Sequence, residues 1–592
     1  MAEKMQKIVR IGGASGYWGE SSMATPQFLA AGGIDYIVYD YLAEITMSIL
    51  ARAKAKDPNA GYATDFITAA LKPNLKEIAA QGVKLIANAG GLNPDACAAA
   101  ARAAIREAGL DLKVGVVAGD DLSENKSKIA NEAPREMFSG ADFPDPEKIA
   151  SVNAYLGAFP VAEALAQGAD IVITGRVVDS AVTLGALIHE FGWARNDWDL
   201  LASGSLAGHI IECGPQATGG NFTDWEDAGD IANIGYPIAE ISADGSFTLT
   251  KPDGAGGVVN VGTVSEQLLY EIGDPQAYLL PDVVCDFSEV RISQAGDDLV
   301  QVSSAKGAPA PDTYKTCLTY QDGFRAGLML SFTGRAAEKK ARAFADAAFS
   351  RTRALFRQFN AGDFTETSVE VIGDPDREVA VKLAVKHLDI MGAGLFLKEV
   401  SGLGLATQPG LAIFSGIRPK PSPVVRLFSY LTPKDGIEIT VDVEGEQTIM
   451  KDQAGEKFEP GSIQRPAEPS APGDGEIEVP LEKLAWARSG DKGDKANIGV
   501  IARRTEYLPY IWAALTKEIV GARFADFIEG EKSNAVERYL LPGPNAINFV
   551  IDRVLGGGGV ASIRNDPQGK GYAQMLLATP VPVSAEIARA LS

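Results

Sequence analysis

The apolar positions of the N-terminal third fall into short runs, and each run ends in a small or polar residue. Residues 7–13 read KIVRIGG and break into a Gly/Ser-rich turn at 12–20. Residues 34–41 end in Asp40-Tyr41, 83–88 in Asn88, 113–118 before Gly119-Asp120-Asp121, and 170–173 before Thr174-Gly175-Arg176. Apolar runs of this length, bounded by Gly, Asn and Asp, predict buried strands. Between them lie longer stretches with helical spacing, starting near Thr25 and spanning 63–81, 95–108 and 154–167. Four or five strands alternating with helices predict a parallel sheet joined by right-handed crossovers. The polar residues follow the strands in every unit. They are therefore expected along the carboxyl edge of one sheet, where open α/β folds bind ligands.

The pattern then changes. Residues 231–302 carry short β-like pieces, including 246–250, 258–261 and 283–287, and predict a mainly antiparallel insertion or second layer. A long helix is expected at 335–359, a strand at 368–372 and a helix at 378–388. Pro419, Pro421 and Pro423 mark a loop before 424–430. Residues 454–475 contain Pro460, Pro466, Pro469 and Pro472 and read as an extended linker. The remainder, 476–592, reads as a small α+β domain with strands at 479–489, 496–502, 546–551 and 577–584 and a helix near 507–519. The expected fold is α/β. A large domain over 1–453 has a mainly parallel sheet flanked by helices, and the small α+β domain follows it.

The formal net charge of -22 argues against nucleic acid or an anionic membrane surface as partner. Any anionic ligand must be met by a local cluster of cations or N–H groups. The 3 His and 4 Cys (Cys97, Cys213, Cys285, Cys317) show no ligand spacing, so no metal site is expected. Reduced thiols suit the cytoplasm. Residues 1–10 are not followed by an apolar core, so no signal peptide is expected, and no apolar run reaches the length of a membrane span.

The stretch His209-Ile210-Ile211-Glu212-Cys213-Gly214-Pro215-Gln216 gathers an imidazole, a carboxylate, a thiol and an amide ahead of Gly219-Gly220. It reads as the end of a strand or short helix entering a loop. Its bland reading is a satisfied buried His and a turn. Glu212 is the preferred general base, because the Ile-Ile before it would raise its pKa. Cys213 as a nucleophile would need His209 on the same helix face, and Gly214-Pro215 argues against that. The turn carrying Gly12, Gly13 and Ser15, and that carrying Asn88, Gly90 and Gly91, read as ligand-binding or as plain tight turns. Thr174, Arg176 and Asp179 form either an anion clamp or a pair that holds its own turn. Asp120 reads as an acid/base residue or a helix cap. The motif at 488–499 displays Arg488, Ser489, Asp491, Lys492 and Asn497 on one loop, either to hold a phosphate or as a solvated hairpin. His189 and His387 fall in helical segments and read as core or surface residues.

The motifs IGGASGYWGES, NAGGLNP, TGRVVDSA, HIIECGPQATGGNF and RSGDKGDKANIGV together resemble the acyclic terpene utilisation A (AtuA) family over nearly the whole chain. The resemblance implies an AtuA domain to about Gln453 and a ferredoxin-type C-terminal domain. It also implies a place in bacterial breakdown of acyclic terpenes such as citronellol and geraniol, through branched acyl-CoA intermediates. The expected activity is a lyase of the hydratase/dehydratase type, or carbon–carbon cleavage. Glu212 would act as base with His209 or Asp120 as partner, and Gly12, Gly13, Gly90 and Gly91 would donate N–H groups. Arg176 would hold an anionic group, and Arg488 and Lys492 the CoA phosphates. No permanently bound cofactor is expected, coenzyme A being part of the substrate, and a homo-oligomer is expected. Some relatives are joined to, or encoded near, acyl-CoA carboxylase subunits, so the other reading is a non-catalytic subunit of such a complex. Only an enzyme needs Asn88, Asp120, Arg176 and Glu212 to meet in one pocket.

Overall fold

The computed structural model describes residues 7–413 and 419–591, so the first six residues of the N-terminal stretch lie outside it. The first elements are β1 (Ile8–Gly13), α1 (Ala24–Ala31), β2 (Tyr36–Tyr39), α2 (Glu44–Lys56), α3 (Leu75–Gln81), β3 (Lys84–Ala87), α4 (Pro94–Ala108) and β4 (Val114–Ala118). Next come α5 (Lys126–Glu132), β5 (Ile149–Ala154), α6 (Phe159–Ala166), β6 (Ile171–Thr174), α7 (Ala181–Phe191) and α8 (Trp198–Ile211). Strands β1, β2, β3, β6 and β4 lie side by side in that order and run parallel. Alternate residues serve two cores. Ile37, Leu85, Ile171 and Ile173 pack with α1, α3 and α4. Val38, Ile86, Val117 and Val172 pack with α6, α7 and α8. Burial on both faces explains the unbroken apolar runs.

This parallel part is the middle of a mixed sheet of 11 strands. β7 (Ile238–Ser242) and β8 (Phe247–Thr250) extend it antiparallel from β1, followed by Leu299–Ser303 and Arg291–Gly296. Ile439–Val443 and Glu446–Met450 extend it past β4. The β-rich section thus widens the first sheet in part, while Tyr278–Leu279 and Val284–Asp286 form a separate small antiparallel sheet with Lys306–Ala308. Within that section, 258–261 is not a strand but the entry to α9 (Val261–Leu268). Asn260 caps this helix by accepting from the Thr263 N–H at 2.9 Å, and the Thr263 hydroxyl accepts from the Asn260 N–H.

A second sheet is built on the long strand Thr313–Thr333, which pairs with Ser422–Pro433, Glu378–His387 and β5. Helices Ala337–Phe359 and Ile390–Gly402 cover one face. Residues 378–388 are therefore strand, not helix. Val379, Val381, Leu383 and Val385 point into that core in strict alternation, a period of two that outweighs the helix-forming Ala and Lys between them. His387 ends this strand and is not helical. Pro423, read as part of a loop, lies in the strand Ser422–Pro433 opposite Phe324. The stretch 154–167 holds a helix only from Phe159, because β5 takes its first residue. Pro73 splits 63–81 into a π-helical turn at Phe66–Leu71 and α3.

The C-terminal unit has its own core and a four-stranded antiparallel sheet. The strand order is Ala485–Lys492, Lys495–Ala502, Ala546–Ile551, Val536–Leu541. Residues 577–584 divide between the end of helix Tyr572–Leu577 and the strand Pro580–Val583. Segment 454–475 is irregular apart from a short turn at Pro460–Ser462. It is held against the large domain by a bridge from Glu456 to Pro311. No helix among the described residues is long and apolar enough to cross a membrane.

Candidate functional site

The carboxyl edge of the parallel strands gathers charge. Asn88, at the end of β3, accepts from the Tyr41 N–H at 2.7 Å and donates to the Asp40 carboxylate. Asp40 is buried. Burial, then Asp179, push its carboxyl far up; Arg176 opposes this and Glu212 adds to it. Arg176, after β6, is buried too. Its Nη1 donates to the Leu42 carbonyl at 2.9 Å and to Asp179 at 2.7 Å, and its guanidinium lies 4.2 Å from the centre of the Tyr155 ring. Nε has no partner. Arg176 and Asp179 do form a pair, and the buried Nε of the guanidinium remains unused.

His209 and Glu212 sit at the last turn of α8, so the helical reading of this stretch holds. The imidazole Nε2 lies 3.2 Å from the Leu268 carbonyl and Nδ1 lies 3.1 Å from Glu212 Oε1. A carbonyl only accepts, so Nε2 carries a hydrogen. The Nδ1–Oε1 contact then holds one proton, on the imidazole or on the carboxyl. Both ring nitrogens are used, so His209 positions Glu212 and does not reach a ligand. Glu212 Oε2 is buried with no hydrogen-bond partner. Burial pushes the Glu212 carboxyl up, His209 opposes, and Asp179 adds to the rise. Cys213 is a different case. Burial, with Glu212 and Glu271 nearby, pushes its thiol well up, so it stays protonated, and His209 is not its base.

A cavity of about 540 Å³ opens beside this group. Val178, Leu279, Leu280, Leu431 and Phe458 make its apolar walls; Asp179, Lys315, Lys492, Tyr155 and Tyr278 make its polar end. The volume suits a small organic ligand. Lys492 comes from the C-terminal domain, the last strand residue before the Gly493-Asp494 turn of its hairpin. Burial alone would lower its pKa, but Tyr278, Glu271, Asp179 and Glu44 hold it firmly charged. No carboxylate lies within ion-pair distance of it among the described residues. Glu44, at the start of α2, accepts from the Tyr155 hydroxyl at 2.7 Å and lies 3.5 Å from Lys315. Burial would raise Glu44, yet Lys315, Arg176 and Lys492 hold its carboxylate well below the usual range. Asn88, Asp120, Arg176, His209 and Glu212 do not line the cavity, so the expected meeting of the first three with Glu212 in one pocket is not found there; the Tyr278 ring, which does line it, lies 5.8 Å from the imidazole.

Asp40, Glu44, Tyr155, Tyr278 and Lys315 are absent from the sequence-based set. Asp40 and Glu44 carried the same signal as Asn88, a polar residue after an apolar run. The other three carried none: distant strand pairing brings Tyr155 and Lys315 together, and Tyr278 enters by packing on His209.

Several expected residues lie elsewhere or are already engaged. Gly12 and Gly13 serve packing. A Cβ on Gly12 would meet the Phe28 ring at 2.7 Å, and one on Gly13 the Ile211 carbonyl at 2.3 Å. The Gly13 N–H donates to the Pro237 carbonyl, and Ser15 donates to the Tyr17 carbonyl. Gly90 lets the turn after β3 approach the Thr174 carbonyl, where a Cβ would sit at 2.5 Å; the Gly91 N–H donates to the Asn88 carbonyl, and the Thr174 hydroxyl to the Gly175 carbonyl. Gly13→Ala is expected to cost about 3 kcal/mol of stability through overpacking, measurable by urea unfolding, because the obstacle is backbone.

Asp120 accepts from Asn153 Nδ2 and from the Arg176 N–H, both at 2.8 Å, and so ties β4 to β5 and β6. Burial, opposed by those donors, pushes it up to about 7 from 3.8. The native chain therefore keeps a proton that the unfolded chain releases between those values. Its contribution to stability is present at low pH and lost as the pH rises through about 7. Asp120→Asn should remove that slope, read by urea unfolding at about pH 5 and about pH 8. An unchanged slope would show that another group carries it.

Arg488 is not on a loop. It lies in the strand Ala485–Lys492 with its guanidinium buried. Nε and Nη2 reach Glu266 Oε2 at 3.0 and 2.9 Å, Nη1 reaches Gln267 Oε1 and the Gln216 carbonyl, and Nη2 reaches the Gly220 carbonyl. All of its donors are used, so none is left for a phosphate. Gln216, Gly219 and Gly220 form the turn that accepts it. Asn497 donates to the Leu269 carbonyl at 2.6 Å, a second tie between the domains. Ser489 donates to the Gly569 carbonyl, and Asp491 accepts from Lys570. Burial, with Glu271 adding, pushes Asp491 up to about 6. Of the C-terminal motif, only Lys492 faces the cavity.

A comparison with curated proteins finds no match. The family model described as acyclic terpene utilisation family protein AtuA matches residues 9–443, and the AtuA ferredoxin-like domain matches residues 479–582. The chain therefore belongs to the AtuA family and carries that family's ferredoxin-like domain after the large α/β domain.

Proposed function

We propose that the chain is an acid–base enzyme of the hydratase/dehydratase class, acting on a branched acyl-CoA. The observation that carries this reading is Glu212 Oε2, a buried carboxyl oxygen without a partner that lies behind the lining of a cavity with apolar walls and Lys315, Lys492 and Asp179 at its polar end. In dehydration a base takes the proton from the carbon next to the thioester, a double bond forms to the next carbon, and the hydroxide that leaves that carbon takes the proton back from the base and departs as water. Glu212, its pKa raised by burial, is suited to take that proton. Lys492, which lines the cavity, supplies positive charge where the thioester oxygen becomes negative, and the buried Arg176 guanidinium adds its field from behind the Tyr155 ring. Val178, Leu279, Leu280 and Leu431 suit a branched hydrocarbon. Asp179 and Lys492 line the cavity while Arg176 and Glu212 lie buried behind its lining, a gathering of charge that a purely structural subunit of a carboxylase has no use for.

A thermal-shift screen with free CoA, branched enoyl-CoA and branched hydroxyacyl-CoA tests it. Ligand at about 100 times its dissociation constant stabilises by about 2.7 kcal/mol. The acyl-CoA species should raise the melting point and free CoA should raise it less. If no CoA species shifts it, the reading fails, and a co-purifying carboxylase subunit would take its place.

A further inference from the structure

With a formal charge of -22, any place where cations gather without carboxylates stands out. One lies on the outer face of the second sheet. There Met329 is paired with Lys382 and Gly327 with Ala384, while Val381, Leu383 and Val385 fill the core behind. Side chains alternate across a strand, so Arg325, Gly327, Lys382 and Ala384 share the outer face. Gly327 and Ala384 form a flat floor. Arg325, Lys382 and Lys420 stand around it, and segment 562–567 of the C-terminal domain closes one side. The cleft measures about 520 Å³.

Little here neutralises the cations. Arg325 donates only to the Val560 and Ser562 carbonyls, at 3.1 and 3.2 Å. Lys420 lines the cleft and forms no ion pair among the described residues. Lys382 lies 3.5 Å from Glu370, whose Oε1 accepts from the Asn565 N–H and whose Oε2 has no hydrogen-bond partner. Arg564 is already engaged, by Glu529 at 2.8 Å and by two carbonyls. Burial, then the Arg52 charge, lower the pKa of Arg325; burial lowers that of Lys382, against Glu370, and Arg325 adds to the fall. The bland reading is a staple from Arg325 to the C-terminal domain. It explains the two carbonyl bonds but neither lysine.

We infer that this cleft is an anion site that receives the phosphate of a phosphorylated small molecule, held by Arg325, Lys382 and Lys420 above the Gly327–Ala384 floor. Three cations against one carboxylate leave two positive charges, the match for a phosphate dianion and not for a single carboxylate. The guanidinium adds planar donors that fit phosphate oxygens. The site is separate from the Glu212 cavity, and its test does not depend on the reaction proposed there.

Isothermal titration of the full-length protein with inorganic pyrophosphate and with adenosine 3′,5′-bisphosphate tests the inference. Lys420→Glu should weaken binding about tenfold, and Glu370→Gln, which removes the one opposing charge, should tighten it. Melting curves confirm that both variants fold. Tighter binding of the bisphosphate identifies a nucleotide-bearing ligand, and equal binding a simple phosphate ligand. Either supports the site. No binding of either probe, or affinities that neither variant changes, would overturn it.

Discussion

Glu212→Gln is expected to lower kcat for branched acyl-CoA hydration or dehydration by roughly 10²–10⁴-fold while leaving the melting temperature nearly unchanged. The amide keeps the volume and can still meet His209 Nδ1, now 3.1 Å from the carboxylate. It cannot take a proton. His209→Asn separates base from positioning residue. Burial raises the Glu212 pKa and His209 opposes that rise, so removing the imidazole should raise it further. If Glu212 acts as the base, activity falls as pH drops through its pKa. That acid limb should then move to higher pH in His209→Asn, a shift that simple loss of packing would not give. Turnover in Glu212→Gln within a few fold of the parent would remove Glu212 from the reaction.

What the sequence made legible follows from how local each cause is. Asn88, Arg176 and Asp179 were readable because each follows a run buried on both faces, and such runs end at the sheet edge. Glu212 was readable from the two Ile before it. Lys315 and Tyr278 were not, because nothing near them in sequence shows that Lys315 lies on the strand paired with β5, or that Tyr278 packs against His209. Arg488 was misread for a related reason. Its surroundings suggest a charged loop, but it pairs with Gly499 in a strand. The missing side chain of Gly499 lets Leu269 close in, a Cβ there meeting it at 2.5 Å. The same charge pattern serves a loop or a domain interface, and only the partner surface decides. Segment 378–388 shows the limit within a single element. Its alternation was present, but its Ala and Lys content also suits a helix.

Glu266→Leu is expected to destabilise the protein by about 3–5 kcal/mol, because it leaves the Arg488 guanidinium buried without its counter-charge. Both side chains are almost wholly buried, at 3% and 0% exposure, and 2.9 Å apart. The loss should show as a lower denaturation midpoint, with the C-terminal unit the first to open. Arg488→Met should cost a similar amount. The double variant should recover much of the loss, since removing both charges also removes the need to desolvate them. Costs that simply add would mean that the pair is not the cause. The variants also bear on the site. Lys492 lies in the same strand as Arg488, so the pair that docks the C-terminal domain also sets where that ammonium enters the cavity. In Glu266→Leu, turnover per folded molecule should therefore fall as well, and the double variant should regain stability more fully than activity, because no buried charge then fixes the strand's position on α9.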